Sequence, residues 1–164
     1  MTTLRKLRNI KAIFTDVDGV LTDGGMYCNA DGLLLKKFHT RDVGAVYRLR
    51  VAGIKFFVLT ASDDELTRKR IDRMLPDEAI YGIVDKLKHV KLICDKYGFD
   101  LSEVAYIGDD VIDRDAMMAV GMSICPLDAL ESIKGISNRI CQVRGGAGVL
   151  AWVVDKIFEE GGSG

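Results

Sequence analysis

Short apolar runs alternate with segments of helical spacing along almost the whole chain, and this alternation restricts the fold more than any other feature. Residues 11–15 read as an apolar strand. Residues 26–29 and 33–38, joined by Ala30-Asp31-Gly32, read as a β-hairpin. Asp42 is placed to cap a helix that runs to about Val51 and ends at Gly53. Residues 55–59 form a β-rich run, and Ser62-Asp63-Asp64-Glu65 matches a capping box opening a helix to about Leu75, before Pro76. A short strand at 79–81 precedes a helix from Asp85 to Tyr97 that Gly98 closes. Strand 104–107, helix 112–120, strand 122–124, short helix 128–134, strand 139–143 and a final helix 148–159 follow. Strands alternating with helices predict an α/β fold, a parallel sheet with helices on both faces and a hairpin inserted after the first strand. Residues 1–160 read as one domain without repeat or internal linker. Gly161-Gly162-Ser163-Gly164 reads as a flexible end.

In such sheets ligands bind at the carboxyl ends of the strands. The polar residues of this chain collect there. Asp16 and Asp18 follow the first strand, Thr60 follows another, Lys86 follows the short strand, and Asp109 and Asp110 follow residues 104–107. Asp16 and Asp18 are the most telling pair. Residues i and i+2 of an extended chain point the same way, so the two carboxylates converge unless the chain turns. Like charges that close repel, and each is costly to desolvate. A divalent cation offsets both costs. An Asp-rich turn after a strand is the plainer reading of the same residues.

Bulk properties bound the alternatives. The 164 residues suffice for one domain with a core. A net charge of −1 gives no electrostatic case for nucleic acid or an anionic membrane. No apolar run approaches a membrane span. Residues 1–11 carry Arg5, Lys6, Arg8 and Lys11 but lack the apolar core of a signal peptide. The expectation is a cytoplasmic protein. Cys28, Cys94, Cys125 and Cys141 form no CxxC pair, and with only His39 and His89 besides, zinc-site spacing is absent. The cysteines read as free thiols, mostly in the core.

The rim residues suit phosphoryl transfer. A phosphate dianion approaching a carboxylate nucleophile needs its charge screened, and Mg²⁺ does this. Asp16 would attack phosphorus to form an aspartyl phosphate. Asp18 would protonate the leaving alkoxide and then take a proton from water, while its backbone carbonyl faces the metal. Asp109 supplies a further carboxylate ligand, and Asp110 and Asp113 support it. Thr60 and Lys86 would donate to the phosphoryl oxygens. Each has a plainer alternative: Thr60 can simply end a strand, Lys86 can be an exposed first-turn lysine, and Asp109-Asp110 can be a turn with a cap. A cation is disfavoured at a helix N-terminus unless an anion is near, which favours the functional reading of Lys86.

These segments resemble the four motifs of the haloacid dehalogenase-like phosphatases. Asp16-x-Asp18-Gly19-Val20 is similar to the first, Leu59-Thr60 to the second, Lys86 to the third, and Gly108-Asp109-Asp110-x-x-Asp113 to the fourth. The resemblance covers nearly the whole chain and implies a Rossmann-like fold, Mg²⁺ and the roles above. The gaps from Asp18 to Thr60 and from Thr60 to Lys86 hold no large insertion, so the chain resembles the cap-less branch. Thr22-Asp23-Gly24, Phe38-x-x-Arg41-Asp42-x-Gly44, Gly82-Ile83-Val84-Asp85-Lys86-Leu87 and Arg144-Gly145-Gly146-Ala147-Gly148 look like the 3-deoxy-D-manno-octulosonate (KDO) 8-phosphate phosphatases, whose near relatives act on nine-carbon sugar acid phosphates such as KDN 9-phosphate.

That resemblance implies a homotetramer in which hairpins build a central barrel and a neighbour helps close each site. It implies a phosphorylated sugar acid as substrate and a place in sugar acid and lipopolysaccharide biosynthesis. Arg41, Asp42, Ser62, Arg70, Arg73, Arg144 and Gly145 are the candidate substrate-binding residues. Two departures bear on specificity. Thr60-Ala61-Ser62 stands where the group has Thr-Gly followed by Arg or Glu, and Ala151-Trp152 stands where relatives often carry Arg-Glu. Ser62 fits a helix cap equally well, and Arg144 fits an ordinary loop arginine. Three other readings compete: a phospho-signalling receiver domain, a non-catalytic oligomerisation domain of a sugar nucleotidyltransferase system, and a phosphatase of macromolecular or other esters. Receivers place the accepting aspartate after a middle strand, unlike Asp16.

Overall fold

The computed structural model describes residues 9–161, apart from the side chains of Leu33, Leu34, Glu160 and Gly161. Six parallel strands form one sheet: β1 (Ala12–Thr15), β4 (Lys55–Leu59), β5 (Glu78–Ile80), β6 (Val104–Ile107), β7 (Met122–Cys125) and β8 (Arg139–Ile140). Their order is β5-β4-β1-β6-β7-β8. Strands β2 (Tyr27–Asn29) and β3 (Gly32–Leu35) form a separate antiparallel hairpin, tied down by a bridge between Thr22 and Phe38.

The central strands are buried on both faces, and their side chains divide between two cores. Ile13, Phe56, Val58, Ala105 and Ile107 face the first core. There they meet α1 (Arg41–Val51) through Ala45, Val46 and Leu49, the end of α2 (Glu65–Asp72) through Ile71, and α6 (Val149–Gly161) through Leu150, Val153 and Val154. Ala12, Phe14, Phe57, Leu59 and Tyr106 face the second core. It is covered by α3 (Lys86–Tyr97) through Val90 and Ile93, α4 (Arg114–Ala119) through Met117, and α5 (Glu131–Lys134) through Ile133. This period-two division is what a doubly covered sheet requires. Phe14 and Phe57 stack across β1 and β4 with centroids 4.8 Å apart.

From β1 the chain builds outward through β4 to β5, then crosses back and builds the other way through β6, β7 and β8. The order therefore reverses between β1 and β6, and a crevice opens at their carboxyl ends. Asp16 leaves β1 and Asp109 follows β6, one on each side of that switch point. Among the described residues there is no cap domain: the hairpin and α1 fill the first gap, and α2 with β5 fills the second. Cys94, Cys125 and Cys141 are buried free thiols, and Cys28 is exposed on the hairpin.

Three local expectations are corrected. The cap of α1 is Thr40, not Asp42; the helix begins at Arg41, two residues before the start that a cap at Asp42 would give. Asp42 is buried, and its Oδ1 accepts the N–H of Ala151 at 3.0 Å, which caps α6 instead. The cap of α2 is Asp64, whose Oδ1 accepts the N–H of Thr67 at 2.8 Å; Ser62 lies outside the helix. That helix also ends at Asp72 rather than near Leu75.

Candidate active site

The centre of the crevice is a buried charge cluster. Asp16 is 6 % exposed and Lys86 1 %. Lys86 Nζ lies 2.9 Å from Asp16 Oδ1 and 2.7 Å from Asp113 Oδ1. Val17 donates its N–H to Asp16 Oδ1 at 2.7 Å. Lys86 begins α3 behind its cap Asp85, and the two anions offset the unfavourable position of a cation at a helix start. Burial alone would lower its pKa, but Asp16 and Asp113 outweigh burial and raise it, so the ammonium persists.

Asp113 holds this centre together. Its Oδ1 also accepts the hydroxyl of Tyr106 at 2.8 Å. Its Oδ2 accepts the N–H groups of Asp109 and Asp110 at 3.1 and 3.2 Å. Burial, then the neighbouring Asp113, raises the Tyr106 pKa well above its ordinary value, which keeps the phenol a donor. Two glycines make the fold-back possible. A Cβ at Gly108 would lie 2.4 Å from Asp113 Cβ, and one at Gly19, where φ is +87°, would lie 2.0 Å from Asp109 Oδ2. The Gly in Asp16-x-Asp18-Gly19 is therefore what lets the β6 loop approach the β1 loop.

Carboxylate oxygens of Asp16, Asp109 and Asp113 all lie within 4.8 Å of one another. Three carboxylates face one ammonium, an excess of negative charge. Burial, then Asp113, pushes the Asp16 pKa up to about 7. Burial, then Asp16, pushes that of Asp109 up to about 8. Asp109 Oδ1 is buried without a hydrogen-bond partner among the described residues. Hard oxygen donors, excess charge and an orphaned oxygen fit a divalent cation such as Mg²⁺. With Asp113 bonded through both oxygens, Asp16 and Asp109 are the side chains left to hold it.

Asp18 is turned toward the hairpin and α2. Its Oδ2 accepts the Ser62 hydroxyl, and its Oδ1 accepts Thr22 Oγ1 at 3.3 Å. Lys36 Nζ approaches the same Oδ2 at 2.9 Å. Thr60 is buried at the end of β4, where its Oγ1 accepts the Ser62 N–H at 3.1 Å. Asp110 accepts the Val111 N–H and caps the turn that follows β6.

The candidate substrate residues are more scattered. Arg41, Arg73 and Arg144 are exposed. The Arg70 guanidinium lies 5.6 Å from the Phe38 ring centroid, with its Nε buried and unpartnered among the described residues. Gly145 donates its N–H to Asp128 Oδ1 at 2.8 Å and packs against the Gly19 carbonyl. Sequence reasoning missed Lys36, Tyr106, Thr22 and Asp64. A lysine within the apolar run 33–38 was the signal available for Lys36. A tyrosine inside an all-apolar strand was the signal for Tyr106.

A carboxylate centre at the switch point of a parallel sheet, braced by a buried lysine and lacking a cap, defines the class. A profile described as haloacid dehalogenase-like hydrolase matches residues 78–153. Over 158 residues the chain is 34% identical to the KDO 8-phosphate phosphatase KdsC of Haemophilus influenzae, covering 96% of this chain and 88% of that protein. The cobalt-bound H. influenzae structure superposes with a TM-score of 0.91, covering 96% of this chain and 92% of the other at 34% identity. The Moraxella catarrhalis KDO 8-phosphate phosphatase, in complex with magnesium, phosphate and KDO, also superposes at 0.91, with 30% identity and coverage of 96% and 90%. The chain belongs to the haloacid dehalogenase-like hydrolases, within the group of the KDO 8-phosphate phosphatases. The receiver-domain reading is thereby set aside.

Proposed function

We propose that the chain is a Mg²⁺-dependent phosphoric monoester hydrolase acting on a phosphorylated sugar acid, KDO 8-phosphate or a nine-carbon relative such as KDN 9-phosphate. The observation that carries this reading is the Asp16–Lys86–Asp113 centre beside the orphaned Asp109 oxygen. The named relatives supply the substrate class.

Asp16 and Asp109, with the Asp18 carbonyl, would hold Mg²⁺, which when bound would screen the phosphate charge from the carboxylates. Asp16 attacks phosphorus, the bond to the sugar oxygen breaks, and Asp18 gives that oxygen its proton. Asp18 then takes a proton from water, whose oxygen displaces Asp16 and releases phosphate. Lys86, ionised throughout, keeps Asp16 oriented and offers a donor to the phosphoryl oxygens. Thr60 offers another. Asp113 acts through Lys86 and the β6 loop, and Asp110 shapes that loop.

The open, cap-less crevice gives a small substrate little contact. A homotetramer answers this, and Met26, Tyr27 and Leu35 form an exposed apolar surface on the hairpin suited to pairing. Exposed Arg41, Arg73 and Arg144 are the cations offered to the substrate carboxylate, within one protomer or across to a neighbour. The described residues are read as a single domain; of the expected end 161–164, Gly161 closes α6 and residues 162–164 lie outside the described residues. No helix among the described residues is long and apolar enough to cross a membrane, and a cytoplasmic site of action suits such a substrate. A phosphate-release screen over eight- and nine-carbon sugar acid phosphates tests the reading. Preference for one of these over p-nitrophenyl phosphate is expected. Equal or lower activity on all of them would leave a phosphatase without this substrate class.

A further inference from the structure

Lys36 lies just past β3, at the foot of the hairpin, and its ammonium ends inside the site. Its side chain is 1% exposed. Nζ stands 2.9 Å from Asp18 Oδ2, 2.9 Å from Asp64 Oδ2, 3.0 Å from Ser62 Oγ and 3.0 Å from Thr67 Oγ1. An ammonium this deeply placed is costly unless paired. Two carboxylates and two hydroxyls supply the pairing. The hydroxyls have a direction: Thr67 donates to Asp64 Oδ2, and Ser62 donates to Asp18 Oδ2. Both therefore turn lone pairs to Lys36, and the network closes around Asp18.

The base of the hairpin is also tied by the Thr22–Phe38 bridge. Asp18 is the partner whose position matters for chemistry. Its carboxylate is restrained by Lys36 and Ser62 on one oxygen and by Thr22 on the other. It stands outside the cluster formed by Asp16, Asp109 and Asp113.

We propose that Lys36 is the positioning residue for Asp18: with Ser62 as a second tether, it sets where the acid/base carboxylate stands relative to the leaving oxygen. Asp64 and Thr67 hold the ammonium to that task. The inference rests on the reading of Asp18 as the acid/base.

The test separates positioning of an acid from a structural staple. A sugar alkoxide needs a proton to leave, whereas p-nitrophenolate departs without one. The ratio kcat/KM covers binding through departure of that group. Lys36→Met is expected to lose about 100-fold in kcat/KM on KDO 8-phosphate and less than about 3-fold on p-nitrophenyl phosphate. Lys36→Arg is expected to recover most of the loss. Equal loss on both esters, or loss on neither, overturns the assignment. If circular dichroism shows that Lys36→Met fails to fold, Ser62→Ala carries the test with the same ester-selective loss, about 10-fold, and equal loss on both esters again overturns it. A wild-type chain that hydrolyses neither ester overturns the phosphatase reading and this inference together. Wild-type turnover without ester selectivity in the variants overturns this inference alone.

Discussion

Asp16 and Asp18 are two positions apart yet have different surroundings. Asp16 is buried against Lys86, and Asp18 faces the hairpin and α2. That divergence gives two like residues two tasks. Asp16→Asn keeps size and hydrogen-bonding capacity but removes the nucleophile, so turnover is expected to fall at least about 10⁴-fold with an unchanged circular dichroism spectrum. Gly19→Ala is expected to weaken Mg²⁺ binding, because its Cβ would take the place of Asp109 Oδ2; isothermal titration with Mg²⁺ measures this directly, and unchanged affinity would contradict the packing argument. Asp16, Thr60 and Asp109 were legible from sequence because each lies within two residues of a strand's carboxyl end, and Lys86 because it opens the helix that follows one, so topology places all four on one rim. Lys36 was not, because its partners lie between 18 and 31 positions away and meet it through the hairpin's path.

At the level of elements, capping decides which short polar residues remain free for other work. In Ser62-Asp63-Asp64-Glu65, several residues can cap a helix, and local chemistry does not choose among them. Asp64 takes the cap, which leaves the Ser62 hydroxyl for Asp18. Asp42 shows the same point over a longer range: instead of capping its own helix it accepts an N–H of α6, 109 positions away. Burial, against the opposing N–H bond from Ala151, raises its pKa. Asp42→Ala is expected to cost about 1–2 kcal/mol by removing that cap, read as a lower midpoint in chemical denaturation. Asp42→Asn keeps an acceptor without a buried charge and is expected to stay near wild type. Equal losses would show that the charge, rather than the cap, holds α6.

For the whole molecule, the sheet and its two cores were legible because a doubly covered sheet writes its pattern into every strand. The assembly state and the exact sugar are not legible, because residues that would decide them, such as Tyr27 and Arg144, look ordinary in sequence. The acidic centre also links stability to pH and metal. Asp16 and Asp109 have folded pKa values raised from 3.8 to about 7 and about 8. Between pH 4 and 8, the folded metal-free chain thus keeps protons that the unfolded chain has released, and stability from these groups falls as pH rises through that window. Below it both states are protonated and the difference vanishes. Mg²⁺ competes with those protons, so its stabilising effect is expected to be larger at pH 8 than at pH 5. At 100 times its Kd the ion contributes about 2.7 kcal/mol, a rise of about 5–10 °C in melting temperature for a chain of this size; an equal rise at both pH values would contradict the linkage. The central claim, that Asp16 carries the phosphoryl group, is tested most directly by acid-quenching wild-type enzyme during turnover of KDO 8-phosphate with Mg²⁺ and mapping the phosphorylated peptide. Phosphate on Asp16, absent when EDTA replaces Mg²⁺, is the expected result. Turnover with no covalent phosphate on Asp16, sustained in Asp16→Asn, would contradict it.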